Sequence, residues 1–230
     1  MLKMRALVSL LAVVVVLFLG FLSFFISSEL VETFTGLTTV ARVRILELSP
    51  ETCSVFLDDG LNVVSFPCET GVKNFSSALS DVNNVSLNFE YIFYFNPLNN
   101  VDPWNSFNPS LPNWTIQTSS TSFDRRRGYF VYMNEPGTYF AEGLRFNTST
   151  MNLRSGWNLV GYPSETELEI VDALSSISDY YVSVHSFQLV NGSYSWLHHF
   201  KEGNSSLDYF VPGYGYWIYV NQNVDWVVTW

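Results

Sequence analysis

The chain has 230 residues, enough for one large domain or for two small ones that each bury a core. Its composition, 47% hydrophobic and 17% aromatic, excludes a disordered chain and points to strand-rich order. A formal net charge of −10 makes nucleic acid and anionic membrane surfaces poor partners, because the surface repels both.

The first predicted element is a membrane helix. Residues 7–26 read LVSLLAVVVVLFLGFLSFFI, with no charge among them. A helix of that length matches a bilayer core of about 30 Å. Lys3 and Arg5 precede it, and Glu29 and Glu32 follow. The positive-inside rule then leaves the N-terminus in the cytoplasm and everything after Ser27 outside. Three fates are open for this segment. As a cleaved secretory signal it is longer than the usual apolar run and is followed by no A-x-A site. As a signal anchor (residues 1–27) it stays and fixes the chain in the membrane. The third fate rests on Met4, Arg5 and Ala6, which stand directly before the apolar run and resemble the prepilin-peptidase site of archaeal type IV pilins. That resemblance implies cleavage after Ala6 and a filament subunit.

Residues 28–41 form a stalk or linker, and the rest is extracellular. With Lys3 and Arg5 inside, 9 of the 11 basic side chains and all 21 acidic ones lie outside, a formal charge of −12. Asn74, Asn84, Asn113, Asn147, Asn191 and Asn204 each open an N-x-S/T sequon in this outer part and are candidate glycosylation sites. Cys53 and Cys68 also lie outside, where an oxidising compartment permits a disulfide. A hairpin centred on Asp59 would oppose Cys53 with about Ser65, three residues short of Cys68, so a bridge and two buried thiols are both open.

The outer part repeats itself. Residues 60–70 read GLNVVSFPCET and residues 156–166 read GWNLVGYPSET. Ala78-Leu79-Ser80 and Ala173-Leu174-Ser175 follow, then Trp104 and Trp196, then GYFVYM from Gly128 and GYWIYV from Gly215. The offsets run 96, 95, 92 and 87, so the order is kept while loops vary. In each copy the first landmark is a strand ended by proline. A short helix follows, capped in the second copy by Ser164 or Thr166, with a stripe of Leu168, Val171, Ala173, Leu174 and Ile177. Val72, Phe75, Leu79 and Val82 form the stripe of the first copy. Residues 91–95 and 181–190 are the next strands. Asn191-Gly192 signals a tight hairpin, and Asn99-Asn100 is its weaker counterpart. Strands from Gly128 and Gly215 come next, and residues 226–230 close the chain as another. Val43 and Ile45 open the first copy. The expected fold is therefore mainly β: an N-terminal transmembrane helix, then two tandem β-sandwich-like modules, 42–143 and 144–230, each with one short helix.

The order G-W-N-L-V-x-x-P, helix, lone Trp and P-G-x-G-Y-W-I resembles tandem modules of secreted and cell-surface proteins of archaea and some bacteria, S-layer-associated ones among them. The resemblance implies an extracellular setting and a structural or adhesive role. It covers most of the second copy and, with Leu61 in place of tryptophan and Arg126-Arg127 before the final Gly-Tyr, a degraded first one.

Little points to catalysis. No G-x-S-x-G, H-E-x-x-H, Walker loop or C-x-x-C occurs, and no nucleophile, base and stabiliser converge in the pattern. Neighbouring His198 and His199 face opposite sides of a strand, and His185 reads as structural. Asp58, Asp59 and Asp102 lack the dense spacing of a calcium loop, and turn chemistry explains Asp-Gly. No cofactor and no metal are expected. Arg125, Arg126 and Arg127 form the one basic run, either a solvated turn or a dock for an acidic partner such as a second copy. Trp104, Trp114, Trp157, Trp196 and Trp217 are candidates for stacking on sugar rings; of these Trp157 and Trp217 fall in strands and read as core, whereas Trp104 and Trp196, near turns, are the better ones. The expectation is a non-catalytic, membrane-anchored surface protein that binds envelope proteins, itself or glycans. The alternatives are the filament subunit and a glycan-binding module pair.

Overall fold

A computed structural model describes residues 51–68, 79, 87–111, 123–143 and 146–230. The membrane segment, the Ala6 site, the stalk, the strand at Val43 and Ile45, and Trp114 lie outside the described residues. So do Asn74, Asn84 and Asn113, and all of the first repeat's helical stripe except Leu79.

The described chain is mainly β. The first repeat contributes β1 (Glu51–Leu57), β2 (Gly60–Val64), β3 (Phe89–Phe95), β4 (Trp104–Phe107), β5 (Tyr129–Met133) and β6 (Gly137–Gly143). The second contributes β7 (Thr148–Leu153), β8 (Gly156–Gly161), β9 (Leu168–Glu169), β10 (Tyr181–Val190), β11 (Ser193–Phe200), β12 (Tyr209–Phe210), β13 (Gly215–Val220) and β14 (Val224–Thr229). One four-stranded sheet has the order β2-β5-β3-β4, backed by the pair β1-β6; the other has the order β8-β13-β10-β11, backed by β7-β14. The two copies therefore share one topology.

They also share a register. Phe95 faces Trp104 and Phe187 faces Trp196, while Ile92 faces Val131 and Val184 faces Ile218. Even the irregularity recurs, between Phe89 and Tyr91 in one copy and between Tyr181 and Ser183 in the other. Burial follows the pleat, since successive side chains point to opposite faces. Val55, Val64, Ile92, Tyr129 and Val131 fill one core, and Met151, Val160, Val184, Tyr216 and Ile218 fill the other.

The asparagine in each opening landmark has a structural role. Asn62 Oδ1 accepts from the Asp58 N–H at 2.8 Å, and its Nδ2 donates to the carbonyls of Asp58 and Gly60 at 2.8 and 3.0 Å. Asn158 does the same with Arg154 and Gly156, at 2.9, 2.7 and 3.1 Å. Both are buried, so each must be satisfied, and each clamps the sharp turn between two strands. Gly60 and Gly156 take φ of +82° and +100° at that turn, which L side chains rarely adopt.

That turn is not a hairpin, which corrects the expectation around Asp59. β1 pairs with β6 and β2 with β5, so the chain crosses from one sheet to the other at Asp58–Gly60. Freed from hairpin register, Cys53 and Cys68 come to a Cα separation of 5.9 Å and are joined by a disulfide.

Other elements differ in detail. Asn191 (φ 52°) and Gly192 (φ 81°) make the tight turn expected between β10 and β11. Asn99 instead sits in a longer loop, where its Oδ1 accepts from the N–H groups of Val101 and Asp102 at 3.2 Å. The helix of the second repeat is only Ile170–Ala173, followed by a 3₁₀ turn at Ser175–Ile177. Leu168 joins strand β9, and Val171 is exposed, so the buried stripe reduces to Ile170, Ala173, Leu174 and Ile177. Neither Ser164 nor Thr166 caps that helix. Ser164 Oγ accepts from the Thr166 N–H at 3.0 Å, closing a local turn.

The two repeats meet through reciprocal contacts. Val64 bridges to Tyr214, and Val160 bridges to Arg127. The Ser65 N–H donates to Gly213 O at 2.9 Å, and the Gly161 N–H donates to Arg126 O at 3.0 Å. Residue i of one copy touches j of the other and j touches i, the pattern of an isologous dimer interface built within one chain. Gly161 sits at its centre: a Cβ there would meet Arg127 O at 2.7 Å, Ser65 Cβ at 2.9 Å and Arg125 O.

Candidate functional site

Alternation decides which side chains reach the outer face of each four-stranded sheet. In β13, Tyr216, Ile218 and Val220 point into the core, so Trp217 and Tyr219 point out. Trp157 on β8, His185 and Phe187 on β10, and Trp196 and His198 on β11 share that face through the strand register. The first repeat adds Phe95, Trp104 and Phe130.

The rings join into one network across both repeats. Trp217 lies 5.2 Å from Phe95, 5.9 Å from Trp104, 6.2 Å from Trp157 and 6.4 Å from Phe130, centroid to centroid. Trp157 also meets His185 at 5.3 Å and Tyr219 at 5.1 Å, both edge to face. Such packing holds each ring in place through its neighbours. Trp104, Trp157 and Trp196 remain 41%, 44% and 52% exposed.

A groove of about 380 Å³ opens in this face, lined by Phe95, Trp157, His185, Trp196 and Trp217. No charged side chain is among these lining residues. His185 Nε2 lies 3.1 Å from Ser183 Oγ. Burial, with His198 adding to it, holds the imidazole below its usual range, so at neutral pH it is uncharged. Ser183 is itself buried, so the pair does not present a nucleophile and base to the groove. Among the described residues, no hydrogen bond is made by the indole N–H of Trp104, Trp157, Trp196 or Trp217. The groove can therefore stack an apolar face and donate a few uncharged hydrogen bonds.

This placement corrects the reading of Trp157 and Trp217 as core. Every position of GYWIYV and nearly every one of GWNLVG is apolar, so the sequence does not say which face is buried. The useful signal was the period of two, once the flanking Tyr216 and Ile218 are assigned to the core. Trp104 opens β4 and Trp196 lies inside β11 rather than at a turn; both are exposed, and each packs on the phenylalanine facing it, Phe95 and Phe187, at 5.4 and 5.3 Å.

The arginine run does not form a common basic face. Arg125 is buried at 7% exposure, with its guanidinium 3.9 Å from the centre of the Phe146 ring. Arg126 pairs with Asp124 at 2.9 Å; burial alone would raise the Asp124 pKa, but the hydrogen bonds from Arg126 bring it below its usual value. Arg127 lies over the Tyr94 ring at 5.1 Å and its backbone bridges to Val160. The run builds the junction between repeats.

Asn147, Asn191 and Asn204 are all exposed. The hydroxyls of Ser205 and Ser206, within the last sequon, accept from the N–H groups of Phe200 and His198 at 3.3 and 3.1 Å. Asp58 accepts from the Tyr194 hydroxyl at 3.1 Å. Among the described residues, the one cluster with metal-ligand atom types is Cys53, Cys68 and Glu165. Its sulfurs are bonded to each other and supply no thiolate.

Compared with protein-family models, with curated proteins and with solved structures, the chain gives no match.

Proposed function

We propose that this chain is a non-catalytic, membrane-anchored surface protein whose two β modules form one extracellular head that binds a component of the cell envelope. The observation that carries this reading is the aromatic face: exposed tryptophans linked by ring contacts from Trp104 of the first repeat to Trp157 of the second. Exposed apolar area on that scale, held rigid by edge-to-face packing, favours a binding surface over a solvated one. The apolar run at residues 7–26 and the sequons support the anchored, glycosylated, extracellular setting.

The test uses full-length protein extracted in detergent and incubated with native envelope fragments. Binding should fall at least tenfold in the Trp157→Ala, Trp217→Ala double variant. Undiminished binding by a folded double variant would remove the aromatic face from the function. Intact mass of the native protein checks the anchor: a chain beginning at Met1 is expected, and one beginning at Leu7 would instead favour the filament subunit.

A further inference from the structure

The two outer faces can be compared position by position, because the registers match. Trp157 faces Tyr219 as Leu61 faces Tyr132, Trp217 faces His185, and Phe130 faces Phe93. Trp157, His185 and Trp217 of the second repeat thus stand where the first has Leu61, Phe93 and Phe130. These three differences run in one direction, although Tyr91 of the first repeat stands where the second has Ser183. Each puts a ring bearing a hydrogen-bonding nitrogen where the other copy has a purely apolar side chain, and none adds a formal charge at neutral pH.

From this asymmetry we infer that the chain has a single ligand groove, on the second repeat and walled by Phe95 of the first, and that it takes a neutral oligosaccharide. The inference rests on the proposed binding role of the aromatic face. A pyranose offers apolar C–H faces to stack on indole rings and hydroxyls to accept from or donate to ring nitrogens. A purely aliphatic ligand gains nothing from the nitrogens. An acidic sugar would need a cation, and no lysine or arginine lines the groove. A second copy of the chain would bring its own net charge of −10 against this one, so self-association through the same face is opposed. The first repeat's face, with Leu61, Phe93 and Phe130, keeps the packing role that both copies share.

The decisive experiment converts one repeat into the other. Full-length protein in detergent is titrated with neutral hexose and N-acetylhexosamine oligosaccharides and, separately, with uronic-acid oligosaccharides, while tryptophan fluorescence and calorimetry are recorded. Neutral oligosaccharides should bind at one site per chain, and uronic-acid ones should not. Trp157→Leu, His185→Phe and Trp217→Phe together keep side chains that the fold already accepts in the other copy. They should weaken binding at least tenfold without loss of the β circular-dichroism signal. The reciprocal Leu61→Trp, Phe93→His and Phe130→Trp should raise the stoichiometry toward two. If neutral oligosaccharides fail to bind, or bind the converted protein unchanged, the inference is overturned. Envelope binding that still depends on Trp157 and Trp217 would then leave the broader role standing with a different ligand, whereas loss of that dependence would end both.

Discussion

The first and second repeats have the same strand order, the same paired positions and the same clamped turn, and they differ in a disulfide and in the outer face of the four-stranded sheet. In the first, Cys53 and Cys68 tie β1 to the segment after β2; in the second, the equivalent positions are Ser149 and Ser164, both buried and unbridged. On the outer face the contrast is reversed, with the hydrogen-bonding rings in the second repeat. A covalent tie thus reinforces the copy with the plainer face, and the copy carrying the groove relies on packing. The teaching is that a duplicated fold can hold its strand order and register constant while one face changes chemistry.

The largest effect should appear at the centre of the junction, where the copies have different residues. Gly161→Ala would drive a Cβ into the Arg125 and Arg127 carbonyls, and backbone cannot easily yield. A loss of about 3 kcal/mol or more is expected in denaturant unfolding. Ser65→Ala at the equivalent position loses only the hydroxyl bond to Tyr214 O and should cost about 1 kcal/mol. Equal costs would break the account of the junction.

The disulfide contrast can be moved from one copy to the other. Replacing Cys53 and Cys68 by serine should remove about 3 kcal/mol, the chain-entropy value for a loop of this length. Ser149→Cys with Ser164→Cys should form a second bridge and raise stability by a similar amount, read as a change in Tm that reduction abolishes. Failure of the engineered pair to oxidise would show that the copies do not superpose there.

The clamped turns should be affected alike. Asn62→Ala and Asn158→Ala each leave a backbone N–H and two carbonyls without their buried partner, at a cost of about 2 kcal/mol in either copy. A large difference between them would mean that the turns are not equivalent. The smallest effect is at high pH. Burial first, and then the Asp58 carboxylate, push the Tyr194 hydroxyl up to about 12 from its ordinary 10. The folded state therefore holds that proton where the unfolded chain has lost it, so this contribution is full below pH 10 and is lost as pH rises through 12. Tyr194→Phe should flatten the decline in stability across that window, measured by denaturant midpoints at several pH values.

Much of this organisation was legible in the chain. The landmarks at Gly60 and Gly156, the tight turn at Asn191-Gly192 and the strands at 181–190 and 215–220 stand where local chemistry puts them: positive φ needs glycine or asparagine, and a β ladder needs its alternating core side. β6 and β7 are not legible there, because GTYFAEG and TSTMNL carry mixed polarity and each pairs only with one distant strand. The helix in the second repeat is shorter than its apolar stripe predicts, since Leu168 is drawn into a strand by Phe210, a partner 42 residues away that no local pattern reveals.

For the candidate site the division is sharper. Composition and repeat spacing determined by themselves that the chain is β-rich, duplicated and supplied with tryptophans at strand and turn positions, because these depend on residue type and short-range periodicity. Only the tertiary structure decided that Trp157 and Trp217 face outward, that Phe95 crosses the junction to meet them, and that Arg125 is buried. Those outcomes depend on which face of an apolar strand another sheet covers and on how two copies dock, and both are set by contacts between residues far apart in the chain.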